Sequence, residues 1–141
     1  MEYRMHSKAR QRGFTLIELI VVITVLSLLM VVVAPQMFER ADDAKRKAAQ
    51  IQIDKVGNTI ELYKLEVGRF PQTLEDLVQK PSDTENWKGP YLKKKALLKD
   101  PWERDLVYVY PGEHGRFDLL SLGSDGQRGG EGENADITSW D

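Results

Sequence analysis

No cysteine occurs among the 141 residues, and histidine occurs only twice, as His6 and His114. The first absence removes disulfides as braces, and a domain of about a hundred residues without them often depends on a metal or a partner for stability. The scarcity of histidine leaves no His cluster for zinc and no nucleophile–base pair for covalent catalysis. A strong excess of charge is missing as well. The formal net charge is −2, and no stretch is basic enough to suggest nucleic acid as a partner. There is no Gly-rich phosphate loop of the Walker type, so any work driven by ATP belongs to another protein.

Against these absences stands one long apolar run. Residues 14–34 are largely apolar and carry a single charge, Glu18. At ~1.5 Å rise per residue such a helix reaches roughly 31 Å, close to the ~30 Å hydrocarbon thickness of a bilayer. The preceding leader sets Arg4, Lys8, Arg10 and Arg12 against Glu2, a balance of about +3, and basic flanks of this kind stay cytoplasmic. Residues 35–141, with a balance of about −4, are therefore expected beyond the membrane as one domain with one small core. A cleaved secretory signal would share the basic start and apolar middle. This run, however, exceeds the usual ~7–15 residues, lacks a small-x-small site, and is followed by Pro35 where the cut would fall.

Beyond Pro35 the helical pattern resumes. Ala49, Ile53, Val56, Ile60, Tyr63 and Val67 recur at spacings of three and four, which places them on one apolar stripe facing a core. Gln50, Asp54, Lys55, Glu61 and Lys64 occupy the other faces. Pro35 removes one backbone donor and crowds the preceding turn, so a kink or local unwinding is expected there. Gly68 and Pro71 end the helix. Thr73 then reads as the N-cap of a short helix through Val78, followed by a polar loop over residues 80–88. Lys93, Lys94 and Lys95 form a basic cluster whose simplest reading is a solvated face.

Residues 106–110 and 116–122 are β-prone and flank Pro111-Gly112-Glu113-His114-Gly115, the pattern of a hairpin with a longer loop, in which His114 is expected to be exposed. Residues 122–138 are rich in Gly and acids. Glycines let the backbone turn carbonyls inward and carboxylates supply hard oxygens, the ligands Ca²⁺ prefers. The spacing does not fit an EF-hand, and pattern alone leaves a calcium loop and a plain acidic turn both open.

Gly13-Phe14-Thr15-Leu16-Ile17-Glu18 resembles the processing motif of the type IV pilin-like superfamily. The rest of the chain resembles the major pseudopilins of type II secretion systems, through Gly68-Arg69-Phe70-Pro71, Asn86-Trp87-Lys88-Gly89-Pro90-Tyr91-Leu92, Asp100-Pro101-Trp102, Pro111-Gly112-Glu113-His114-Gly115, Ser121-Leu122-Gly123-Ser124-Asp125-Gly126 and Asp136-Ile137-Thr138-Ser139-Trp140. The resemblance implies an α+β fold: a long N-terminal helix, with a transmembrane half (14–34) and an amphipathic half (35–67), packed on a small antiparallel β-sheet in a head over 68–141 with a calcium-binding C-terminal loop. It implies that residues 1–13 are a leader removed by a prepilin peptidase, which cuts after Gly13 and methylates the new amine of Phe14. It further implies that Glu18 meets the Phe14 amine of a neighbouring subunit. An unpaired buried carboxylate costs several kcal/mol, and an opposite charge at ~4 Å returns about 4 kcal/mol at an effective dielectric of 20.

The same resemblance implies calcium, held by Asp125 and Asp136 with main-chain oxygens of Leu122, Gln127 and Thr138. The implied function is structural rather than enzymatic. The subunit would form a homo-oligomeric helical filament in the periplasm, anchored before assembly by one pass through the inner membrane, and would support export of folded proteins across the outer membrane. The implied partners are minor pseudopilins, an inner-membrane platform protein and a cytoplasmic assembly ATPase. Two alternatives are a type IV pilus subunit for adhesion or motility and a membrane-anchored domain that never polymerises. The lack of a C-terminal Cys pair counts against the first, and no catalytic constellation supports an enzymatic form of the second.

Overall fold

The computed structural model describes residues 13–141. The leader and its basic residues Arg4, Lys8, Arg10 and Arg12 lie outside the described residues; Gly13 is its one described position. One helix, α1 (Leu16–Val67), runs for 52 residues and includes Pro35. The helix is assigned without a break at Pro35, so the expected local unwinding is absent. The missing Pro35 N–H still leaves the Val31 carbonyl without its ordinary partner one turn on. The chain divides into two compact units, Met1–Phe38 and Glu39–Asp141.

In the first unit the large apolar side chains from Leu16 to Val33 are exposed, and α1 is long and apolar enough here to cross a membrane. Both hydroxyls in the run are satisfied inside the helix. Thr24 Oγ1 donates to the Ile20 carbonyl at 2.7 Å, and Ser27 Oγ to the Ile23 carbonyl at 2.7 Å. A hydrocarbon surround offers no other partner, so such back-bonding suits a membrane segment.

In the second unit the predicted stripe forms the core: Ala49, Ile53, Val56, Ile60 and Tyr63 are each 0% exposed, and Val67 packs at their edge. Spacings of four and three keep these residues on one helix face. Phe70, Leu77, Leu92, Leu106, Leu119 and Ile137 close over them. The segment after Thr73 is a 3₁₀ turn (Leu74–Leu77) rather than an α-helix. Asp76 caps its start by accepting from the N–H groups of Gln72 (2.8 Å) and Thr73 (3.3 Å) and from the Thr73 hydroxyl (3.1 Å). Lys93, Lys94 and Lys95 are exposed, as a solvated face requires.

The sheet has three antiparallel strands in the order β1 (Val107–Val109), β2 (Asp118–Ser121), β3 (Ile137–Thr138). Tyr108 pairs with Leu119 across the hairpin, and Ser121 with Ile137 on the other side. The first two strands are the predicted hairpin, shortened at both ends. The third lies inside the tail that sequence pattern left open between acidic turn and metal loop. Two residues are too few to show a period of their own, and Ile137 is drawn into the sheet by burial against the core.

Candidate functional site

At the amino-terminal motif the helix starts at Leu16, two residues after the expected Phe14. Gly13 and Phe14 precede it in non-helical chain, and Phe14 is 91% exposed. The Gly13–Phe14 bond therefore lies outside the hydrogen-bonded helix, where the implied cut after Gly13 requires it. Thr15 and Glu18 form a reciprocal capping box. Glu18 accepts from the Thr15 N–H at 3.0 Å and the Thr15 hydroxyl at 3.1 Å, and the Glu18 N–H donates to Thr15 Oγ1 at 3.2 Å. This pairing satisfies helix-end donors and sets a carboxylate at the positive end of the helix dipole. The sequence carries the signal as Thr-x-x-Glu, the spacing of a capping box.

The carboxyl-terminal loop holds all five residues implied as calcium ligands. Asp125 Oδ1 accepts from the Gln127 N–H at 2.9 Å, and Asp136 Oδ2 accepts from the Gly129 N–H at 2.9 Å. The other Asp136 oxygen, Oδ1, is buried without a hydrogen-bond partner. The Leu122 carbonyl accepts the Gly126 N–H at 3.2 Å, and the Thr138 carbonyl receives a long bond from Gln50 Nε2 at 3.4 Å. Gln127 is exposed. Among the described residues no three His, Asp or Glu side chains converge. A cation here would thus rely on two carboxylates plus main-chain oxygens. The orphaned Asp136 Oδ1 fits that use, since a buried carboxylate oxygen without a donor or cation is costly.

His114 is an exposed loop residue, as expected, and its ring also makes two specific contacts. Its ring stacks on Trp140 with centroids 4.1 Å apart and planes within 3°, and Nδ1 lies 3.0 Å from Asp118 Oδ2. Asp118 is buried and also accepts from the N–H groups of Glu113 (2.9 Å) and His114 (3.1 Å), so one carboxylate closes the hairpin loop. Burial alone would raise its pKa. The bonds from His114 and the two N–H groups more than reverse this and hold the carboxyl below its usual range. Trp140 and His114 are 26 positions apart, and only the pairing of β2 with β3 brings them together.

Residues 36–140 match the family described as type II secretion system protein G, and residues 8–34 match the prokaryotic N-terminal methylation motif. The chain is 43% identical to the type II secretion system core protein G of Pseudomonas aeruginosa over 95% of its own length and 98% of that protein's. It is 40% identical to the core protein G of Vibrio cholerae over 96% of each. The crystal structure of the major pseudopilin from the type 2 secretion system of enterohaemorrhagic Escherichia coli is similar with a TM-score of 0.62 at 29% identity, covering 72% of this chain and 87% of that one. With a membrane-length helix led by a methylation motif, and a head whose matched residues include the sheet and the acidic loop, the chain belongs to the type II secretion system protein G family.

Proposed function

We propose that this chain is cut after Gly13, methylated at Phe14, and polymerised from the inner membrane into a periplasmic pseudopilus that supports export of folded proteins across the outer membrane. The observation that carries the reading is the exposed apolar surface of residues 16–33, whose single charge is Glu18 near its start. A bilayer covers such a surface before assembly, and like helices cover it in a filament. The part played by Glu18 changes between the two states. In the single chain its carboxylate serves the Thr15 cap, and in the filament it pairs with the Phe14 amine of a neighbour. Minor pseudopilins, a platform protein and an assembly ATPase complete the machine, and the prepilin peptidase prepares the subunit. The chain acts as a structural subunit, without catalytic chemistry.

Mass spectrometry of the mature protein should find methylated Phe14 at the amino terminus; an intact leader would overturn the assembly reading. Glu18→Ala should be processed normally yet fail to form crosslinks between cysteines introduced on neighbouring helices, and normal crosslinking by that variant would reject the pairing role.

For the loop, the reading is a structural calcium site using Asp125, Asp136 and main-chain oxygens of Leu122, Gln127 and Thr138, supported by the unpartnered Asp136 Oδ1. Bound Ca²⁺ would supply positive charge to two carboxylates and fasten a Gly-rich segment that has little apolar surface of its own. At free Ca²⁺ about a hundredfold above Kd, binding adds about 2.7 kcal/mol to stability. Chelation should therefore lower the melting temperature of the full chain in detergent, and an unchanged melting temperature would reject the site.

A further inference from the structure

Two guanidinium groups grip the main chain of the carboxyl-terminal loop from opposite ends. At its entrance, Arg104 Nη1 donates to the Gly123 carbonyl at 2.6 Å and Nη2 to the Ser124 carbonyl at 3.1 Å. At its exit, Arg46 Nη1 donates to the Ala135 carbonyl at 2.7 Å and the Glu133 carbonyl at 3.2 Å. Neither arginine belongs to an ion pair among the described residues, where Arg69, Lys99, His114 and Arg116 supply the cations. Both guanidinium charges are spent on carbonyls, and the planar fork of Arg104 spans two of them at once.

Arg104 is itself fixed. Its N–H donates to Asp100 Oδ1 at 2.9 Å, and Asp100, 3% exposed, accepts the Ser121 hydroxyl through Oδ2 at 2.7 Å. Ser121 Oγ in turn accepts the Gly123 N–H at 3.3 Å, so the strand end, the buried carboxylate and the loop entrance form one network. The loop closes over the guanidinium at Gly126, where φ is +69° and a Cβ would lie 2.6 Å from Arg104 Nε.

We propose that Arg104 and Arg46 are positioning residues for the cation loop. They take up the carbonyls of Gly123, Ser124, Glu133 and Ala135, and so leave Asp125, Asp136 and the main-chain oxygens of Leu122, Gln127 and Thr138 as the oxygens presented to a metal. This rests on the calcium reading above and assigns to this chain's own side chains the ordering of the site before metal arrives. The sign of the effect separates positioning from plain electrostatics. Deleting a cationic side chain near a cation site strengthens metal binding by Coulomb's law, whereas deleting a residue that holds the ligands in place weakens it.

The test is calcium titration calorimetry on the full chain in detergent, paired with amide hydrogen exchange over residues 122–136 in chelator. Arg104→Ala and Arg46→Ala should each weaken calcium binding about tenfold or more and speed exchange in the loop without metal. Arg104→Lys, which keeps the charge but loses the fork, should fall between the wild type and Arg104→Ala. Arg69→Ala, which removes a guanidinium bonded to Asp83 and Thr84 instead, should leave calcium affinity unchanged. Unchanged or tighter binding in both alanine variants overturns the positioning role, even where exchange quickens. If the wild type binds no calcium, the metal reading fails by itself, and the clamp then stands or falls on whether loop exchange quickens in Arg104→Ala.

Discussion

Residues 16–33 of α1 and residues 122–138 of the carboxyl-terminal loop both lie largely outside the central core, yet their polar groups are satisfied over different distances. In the helix the Thr24 and Ser27 hydroxyls reach carbonyls four positions back, and Glu18 meets Thr15 three positions back. In the loop the carbonyls of Gly123, Ser124, Ala135 and Thr138 are met by side chains 19 to 89 positions away, and that of Glu133 by Arg46 as well as by the Ser124 hydroxyl within the loop. A segment satisfied from within survives a change of surroundings. A segment satisfied from elsewhere is ordered only while its scaffold is intact, which makes it a natural place for a metal to add stability.

The largest expected effect comes from damaging that scaffold. Ile60→Ala, at a site with 0% exposure, should cost about 2–5 kcal/mol in denaturant unfolding of the full chain in detergent. Leu26→Ala, on the exposed helix, should stay within about 0.5 kcal/mol in the same assay. Equal losses at the two positions would erase the contrast between the units.

The Asp118 hub is expected to matter next, at about 1.5–3 kcal/mol for its charge-assisted bonds. Its folded pKa is depressed, so its contribution is fully present above the unfolded value of about 3.9 and is lost as pH falls through the folded value. Asp118→Asn should flatten the acid limb of the stability–pH curve while changing little of its slope near neutrality. An acid limb as steep as in the wild type would show that the carboxylate does not hold the hairpin loop. The Arg69–Asp83 pair shifts Asp83 in the same direction but is solvent-exposed, with side chains 41% and 57% accessible, and adds little.

One further effect has the opposite sign. Glu103 sits at φ 64° in the turn that delivers Arg104, its side chain in solvent. A left-handed conformation costs a residue with a Cβ about 1–2 kcal/mol, so Glu103→Gly should gain about 1 kcal/mol after the added freedom of the unfolded chain is offset. A loss on thermal melting would mean that the Glu side chain contributes more than its geometry shows.

Several parts of this arrangement were legible in the sequence. The stripe from Ala49 to Tyr63 was, because a helix repeats its buried face every three or four residues whatever it packs against. The hairpin and the Thr73 turn were, because Gly, Pro and capping residues act within a few positions. The Glu18 box carried its own signal in the three-residue spacing from Thr15. His114 and Trp140 gave no such sign, since each is ordinary among its neighbours and only β2–β3 pairing stacks them. The arginine clamps were illegible for the same reason: Arg46 looks like one more charge on a polar helix face, and Arg104 like a turn residue.

The sequence by itself determined the membrane-length helix, the face it buries and the family to which it belongs, because length, period and short motifs are properties of adjacent residues. Only the tertiary structure decided which carbonyls of the acidic loop are held by arginine, and that a loop histidine would stack against Trp140. Those contacts join residues far apart along the chain, and their partners are chosen by the folded geometry of α1 and the sheet.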